Sequence, residues 1–322
     1  MNNSSVFITG ATGLVGKAIL NELSQFSFQV TALHREKSIL PDISAVSWVE
    51  GDLADSDTYL NHLLACDVVI HAAANVEFNP KFDQKTLEFN TSVTKDIVQA
   101  CIDGGKRLIH ISSVAALNNS KKELTTEESE FDLNLNHTGY AKSKYFSEME
   151  VWRGIAEGLD AVILNPSIIL GIPSEFPESS GIFWKQVDKG MPRIPAGGSG
   201  FVDARDVAKV VYKLIDSDIS GERFVISGDN LTYKEFFGQI ATALQQKPPT
   251  TILKTWESKL LYMGSSFVRL FGISPTYSKA LHDNLFLTHK FDSSKAQKTF
   301  GMEFRSTTNS VDWVTKAYLA AK

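Results

Sequence analysis

Through the first half of the 322-residue chain, short apolar runs alternate with longer segments whose apolar positions recur at helical spacing. The runs Val6–Thr9, Gln29–His34, Val46–Val49, Asp67–His71, Arg107–Ser112 and Ala161–Asn165 predict strands, and the clearest helix between them covers about 83–103. Strands that alternate with helices require crossover connections, which implies a parallel sheet covered on both faces. The near-continuous apolar runs Asp67-Val68-Val69-Ile70 and Leu108-Ile109-His110-Ile111 fit strands buried on both sides. The predicted fold class is therefore α/β, a doubly wound parallel sheet.

Beyond Pro166 the pattern loosens. Pro173, Pro177, Pro192 and Pro195, with glycines between them, predict a long irregular stretch over 171–200. A helix then follows over Ala204–Ser217, a strand over Arg223–Ser227, and four amphipathic helical segments. This suggests a first domain of residues 1–170, to which 201–228 return, and a smaller, mostly helical lobe of 171–200 and 229–322. The segment from Trp256 to Phe271 is the most apolar in that lobe; it predicts a core stripe, or else a face for a hydrophobic substrate or a membrane surface.

Between the first strand and the first helix lies Thr9-Gly10-Ala11-Thr12-Gly13-Leu14-Val15-Gly16. A strand, a glycine turn and a helix N-terminus together aim backbone N–H groups at a phosphate. Gly10 permits the tight turn, Gly13 lets the backbone approach a pyrophosphate, and Gly16 lets helix and strand pack closely. The spacing is G-x-x-G-x-x-G, a variant of the usual dinucleotide fingerprint.

Tyr140 and Lys144 stand one helical turn apart, so both project from one face. A phenol with a pKa of about 10 is a poor base at neutral pH. A neighbouring cation favours the phenolate; lowering the value by about 3 units takes roughly 4 kcal/mol, within reach of an ammonium plus a nicotinium. Tyr318 and Lys322 repeat the spacing but follow no sheet strand, and predict a solvated helix face. Ser112 and Ser113 end a strand at the sheet edge that carries the glycine turn, where ligands of open parallel sheets bind. The Ser113 hydroxyl is thereby a candidate to steady a reacting oxygen near Tyr140.

Composition narrows the setting. Apolar residues make up 43% and charged residues 21%, with net charge −5, so no basic field draws in nucleic acid or an anionic membrane. Cys66 and Cys101 form no disulfide framework, and scattered histidines offer no metal-ligand spacing. With no apolar run near ~18 residues and no signal-like start, the expectation is a cytoplasmic protein without an integral membrane segment.

The ordered set Thr9–Gly16, Gly51-Asp52-Leu53, His71-Ala72-Ala73-Ala74, Ile111-Ser112-Ser113, Tyr140-x-x-x-Lys144, Asn165-Pro166-Ser167 and Val202–Ala208 resembles the extended short-chain dehydrogenase/reductase superfamily, the NAD-dependent epimerase/dehydratase group. Within it, the chain looks most like the dihydroflavonol-reductase and β-hydroxysteroid-dehydrogenase branch. The resemblance implies a Rossmann-type domain and an NAD(P)-dependent enzyme that acts on a small molecule, as monomer or homodimer. It implies that Tyr140 is the acid/base, that Lys144 lowers its pKa and bonds the nicotinamide ribose, and that Ser113 polarises the substrate oxygen. Gly10, Thr12, Gly13, Leu14 and Val15 would hold the pyrophosphate. Asp52 and Leu53 would lie by the adenine, Ala72, Ala73 and Ala74 along the cofactor, and Pro166 and Ser167 beside the nicotinamide. Asn90 matches the group's helix asparagine near the active site.

At the end of the second strand, NAD enzymes of the group carry an acidic residue; here His34 is followed by Arg35, with Glu36, Lys37 and Ser38 beyond. Arginine suits a 2′-phosphate, which favours NADP, with NAD the alternative through Glu36. The expected reaction interconverts a carbonyl and a secondary alcohol on a hydrophobic molecule, with Val76, Phe78, Ile168, Phe183, Trp184 and Met191 as pocket candidates. One alternative is a sugar-nucleotide epimerase or dehydratase. Gly198-Ser199-Gly200-Phe201-Val202 lacks the arginine such members carry there, although Arg193 and Arg269 remain. The other alternative is a non-catalytic NADP sensor.

Overall fold

The structure, a computed structural model, describes residues 4–43, 46–77, 79–117, 124–176, 178–254, 256–257 and 285–322. A seven-stranded parallel sheet organises them. Its strands are β1 (Ser5–Thr9), β2 (Gln29–His34), β3 (Val46–Glu50), β4 (Val68–His71), β5 (Arg107–Ile111), β6 (Ala161–Pro166) and β9 (Glu222–Ile226), in the order β3-β2-β1-β4-β5-β6-β9. The order reverses direction between β1 and β4, which opens a crevice at their carboxyl ends.

Alternate residues of each strand feed two cores. On one face Val6, Ile8, Val68, Ile70, Ile109 and Ile111 pack with α1 (Leu14–Leu23) and α6 (Ala204–Ile215). On the other, Phe7, Val69, Leu108 and Ile163 pack with α3 (Asp83–Gly104) and α4 (Gly139–Ala156); the short α2 (Leu60–Leu64) adds Leu63. Burial on both faces explains why these strands read as apolar runs. The left-handed Gly105 at φ 60° ends α3. Helices α3 and α4 lie close together: a Cβ on Gly154 would come within 2.7 Å of Val98.

A second sheet, β10-β8-β7, joins β7 (Ile168–Leu170), β8 (Gly198–Asp203) and β10 (Asn230–Thr232). None of these three was apparent from the apolar pattern. β8 contains Gly198 and Gly200, which depress strand preference. Both are there for space: a Cβ on Gly198 would lie 2.5 Å from the Leu231 carbonyl oxygen, and one on Gly200 2.6 Å from Phe291. This sheet packs with α5 (Gly181–Asp188), α7 (Tyr233–Ala243) and α9 (Thr307–Ala320) around Trp184, Phe201, Phe236, Ile240 and Val314. The short α8 (Ser294–Phe300) returns to the large sheet through Phe300. The predicted apolar helix after Trp256 lies outside the described residues beyond Glu257; Trp256 is exposed. Among the described residues, no helix is long and apolar enough to cross a membrane.

Candidate active site

The glycine turn closes against the exit of β4. Gly10 has φ 73°, and a Cβ there would meet backbone atoms of Ala72 and Ala73 at 2.6–2.8 Å. A Cβ on Gly16 would overlap the Gly10 carbonyl and reach Ala11 Cα at 2.6 Å. Gly13 differs: it is exposed, and a Cβ there would touch only the Gly10 oxygen, at 3.3 Å. Apart from that oxygen, the space a Cβ would fill is open. Gly13 is also the N-cap of α1, with no side-chain cap and no acidic residue in the first turn. The helix leaves its first N–H groups, at Leu14 and Val15, without intrahelical partners, a fit for an anion. The half-buried Thr12 offers its carbonyl to the Ser174 hydroxyl at 3.1 Å.

Thr9, the last residue of β1, fixes the neighbouring wall. Its carbonyl and hydroxyl accept the N–H groups of Ala72 (3.2 Å) and Ala73 (3.3 Å), and its hydroxyl also bonds His71 Nδ1 at 2.8 Å. Asn90 on α3 completes the hold: Oδ1 accepts Asn75 N–H at 2.7 Å, and Nδ2 donates to the Asn75 carbonyl at 3.0 Å and to Ser143 Oγ at 2.9 Å. Ser143 belongs to α4, so one buried amide joins the 72–75 segment to the helix that carries Tyr140.

On α4, capped by the Thr138 hydroxyl, Tyr140 faces the end of β5. Ser113 hydrogen-bonds its hydroxyl. Burial raises the phenol above its ordinary pKa and the Ser113 bond draws it back. Lys144 stands one turn further along α4. The ammonium is buried, donates to the Ile111 carbonyl at 3.0 Å, and is held down to about 8 by desolvation against the opposing pull of Glu148. Beneath it, His71 and His110 are also buried; desolvation, then the Lys144 charge, lowers His71 to about 3.

Pro166 ends β6, and Ser167 follows with its N–H on the Ile226 carbonyl at 3.0 Å. The Ser167 hydroxyl is buried without a partner among the described residues, a polar atom available to a ligand at the carboxyl end of β6. Asp52 and Leu53 follow β3 at the same carboxyl edge; Asp52 Oδ1 accepts Ala54 N–H at 2.9 Å and Leu53 is half-buried. Arg35 follows β2 there too. It is exposed and makes no ion pair among the described residues, and its carbonyl accepts His34 Nδ1 and Ser38 N–H.

The pocket candidates separate. Trp184 is fully buried and donates to Thr315 Oγ1 at 2.7 Å, and Phe183 stacks edge-on against Phe236 and Phe237. Trp184 belongs to the core beside the second sheet, and Phe183, Ile168 and Met191 pack onto it. Val76 is exposed, while Phe78 lies outside the described residues. Tyr318 and Lys322 do not form a solvated face: Tyr318 is buried, and both donate to the Asp188 carboxylate, at 2.9 and 2.7 Å. They clamp α9 to α5. Glu148, four residues beyond Lys144 on the same face, is the buried site residue that the sequence argument missed.

The turn, the orphan hydroxyl and the free guanidinium together fit a dinucleotide. Comparison with known proteins agrees. Residues 6–227 match the model of the NAD dependent epimerase/dehydratase family. A putative dihydroflavonol 4-reductase of Synechocystis is 27% identical over 259 residues, 78% of this chain and 75% of that protein. The UDP-glucose 4-epimerase of Vibrio cholerae is 26% identical over 315 residues, 92% and 90% of the two chains. The crystal structure of gox2253 superposes over 100% of both chains with a TM-score of 0.84 at 26% identity. A Rossmann-type sheet with these motifs in this order makes the chain an enzyme of the extended short-chain dehydrogenase/reductase superfamily, and it belongs to the NAD dependent epimerase/dehydratase family.

Proposed function

We propose that the protein is an NADP(H)-dependent oxidoreductase that interconverts a carbonyl and a secondary alcohol on a hydrophobic small molecule. When bound, the nicotinamide cofactor supplies or accepts the hydride. The glycine turn and the first turn of α1 would hold its pyrophosphate, Arg35 its 2′-phosphate, Ala72 to Ala74 its length, and Pro166 and Ser167 the nicotinamide end. The chain's own chemistry is the proton. Tyr140 passes its phenolic proton to the carbonyl oxygen, Ser113 donates to that oxygen as charge grows, and Lys144 offsets the charge left on the phenolate.

One observation carries the choice over a sugar nucleotide. A diphosphate calls for free guanidinium groups in the small lobe. Instead, among the described residues, Arg193 and Arg305 of that lobe pair with Glu257 and Asp206, and Arg205 on α6 pairs with Asp203 while stacking on Trp313; Arg269 lies outside the described residues. The Asp203 and Asp206 carboxylates are fully buried, so these are structural bridges. β8, where sugar-nucleotide enzymes place an arginine, is buried along its whole length.

The test is a panel of hydrophobic ketones with NADPH, followed by absorbance at the nicotinamide band, and of sugar nucleotides, followed by chromatography of the products. Reduction of ketones with no conversion of sugar nucleotides is expected. The Tyr140→Phe variant should lose at least about 100-fold in turnover while it still binds NADPH. Full turnover in that variant, or epimerisation of a sugar nucleotide, refutes the proposal.

A further inference from the structure

Glu148 is a carboxylate in the wrong place for an ordinary helix glutamate. It is 1% exposed, on the α4 face that carries Tyr140 and Lys144 at successive turns. Burying a carboxylate without compensation costs several kcal/mol, so its partners show what it is for. Oε1 accepts the Ser112 hydroxyl at 2.5 Å and the Asn165 amide. The same amide donates to the Ser113 carbonyl at 3.0 Å. Oε2 accepts Arg223 Nη1, from β9, at 3.3 Å. Arg223 is the outer cation: it is half-exposed, donates to the Glu127 carbonyl at 2.8 Å and lies over Trp152. Lys144 is the inner one, with its charge inside the core.

We propose that Glu148 is a positioning residue of the proton-transfer site: it is the buried counter-charge that keeps Lys144 an ammonium, and through Ser112 and Asn165 it holds Ser113 at the strand end. This rests on the role given to Tyr140, Ser113 and Lys144 above. Glu148 stands one turn from Lys144 on α4, and the other groups that face the ammonium differ from it in charge. His71 on β4 and His110 on β5 face it, and both are neutral at physiological pH because burial suppresses their protonation. The Ile111 carbonyl offers a dipole only. Tyr140, one turn earlier, has its pKa raised by burial. Glu148 is the carboxylate whose charge acts on the ammonium. Its own pKa is raised by burial, while Ser112, Arg223 and Asn165 pull it down.

The experiment measures the ionisation of Lys144 directly, by NMR of protein labelled at lysine Cε, with Lys144→Met to identify the signal. In Glu148→Gln, which keeps the shape and an acceptor oxygen, the Lys144 midpoint should fall by about 1–3 units. Glu148→Asp, which keeps the charge, should restore most of that fall. The high-pH limb of ketone reduction should move down by the same amount in Glu148→Gln. An unchanged Lys144 midpoint in Glu148→Gln overturns the proposal, because a residue that only packs would leave it in place. Should that variant not fold, the glutamate carboxyl carbons are titrated in Lys144→Met instead. There Glu148 should bind its proton at a higher pH than in the wild type, and an unmoved titration overturns the proposal equally. If no ketone is reduced by the wild type, the reductase reading fails, yet the lysine titration still decides the role of Glu148.

Discussion

Three glycine-to-alanine changes in one turn should behave differently, because the new methyl group meets different things. In Gly10→Ala it meets Ala72 and Ala73 backbone at 2.6–2.8 Å, on a residue held at φ 73°. The left-handed conformation costs roughly 1–2 kcal/mol for a residue with a Cβ. Backbone cannot rotate aside as a side chain can, and the overlap adds about 1–3 kcal/mol of overpacking. The sum is a loss of about 2–5 kcal/mol, and the displaced wall is the one on which Thr9 holds Ala72 and Ala73. Gly16→Ala belongs to the same class, since its Cβ overlaps the Gly10 carbonyl. Gly13→Ala has extended backbone at φ −78° and only the Gly10 oxygen at 3.3 Å, so its stability cost is below about 1 kcal/mol, the scale of an altered N-cap. Its methyl group points into the space assigned to the pyrophosphate. Urea unfolding of each variant, with a titration of NADPH fluorescence alongside, separates the effects. Gly10→Ala and Gly16→Ala should lose both stability and binding, whereas Gly13→Ala should keep stability and lose at least about tenfold in affinity. Wild-type affinity in Gly13→Ala would remove the phosphate cradle from the site, and wild-type stability in Gly10→Ala would refute the steric reasoning.

Two further outcomes follow from charge. Arg35→Ser should weaken NADPH binding by about 10–100-fold, the scale of a charge-assisted phosphate contact, and leave NADH affinity nearly unchanged; equal losses for both cofactors would show that Arg35 does not read the 2′-phosphate. Lys144 is held at about 8 in the folded chain against an ordinary 10.5, so between those values the unfolded chain binds the extra proton and stability rises with pH. Below about pH 8 the folded state carries the whole penalty, on the order of 3 kcal/mol. Urea unfolding of wild type and Lys144→Met at pH 7.5 and 9.5 should show wild type gaining stability over the variant as pH rises, and a gain in the opposite direction refutes the buried-ammonium account.

What could be read from the chain depended on how local each signal was. Gly10, Gly13 and Gly16 sit within one strand–turn–helix unit, and Tyr140 and Lys144 within one helical turn after the strand that ends at Ser113, so spacing and setting together announced them. The large sheet was legible because its strands are buried on both faces and read as apolar runs. Glu148 was not legible: a glutamate on a helix normally faces solvent, and only the docking of β6 and β9 brings Asn165 and Arg223 onto it. The aromatic pair Phe183 and Trp184 misled for a related reason, since an apolar side chain in an irregular stretch looks the same whether it lines a pocket or a core. Tyr318 and Lys322 misled because Asp188, which holds both, is 130 and 134 residues away.

The bonds that hold the site together span the chain: Asn75 to Asn90, Ser112 to Glu148, Asn90 to Ser143, Ser113 to Asn165, and Glu148 to Arg223. The last two belong to strands that enter the sheet after α4 is complete. The turn at Gly10 needs only β1, α1 and the exit of β4, all within the first quarter of the sequence. The phosphate turn is thus a local device, whereas the proton-transfer residues owe their placement to partners as far along the chain as β9.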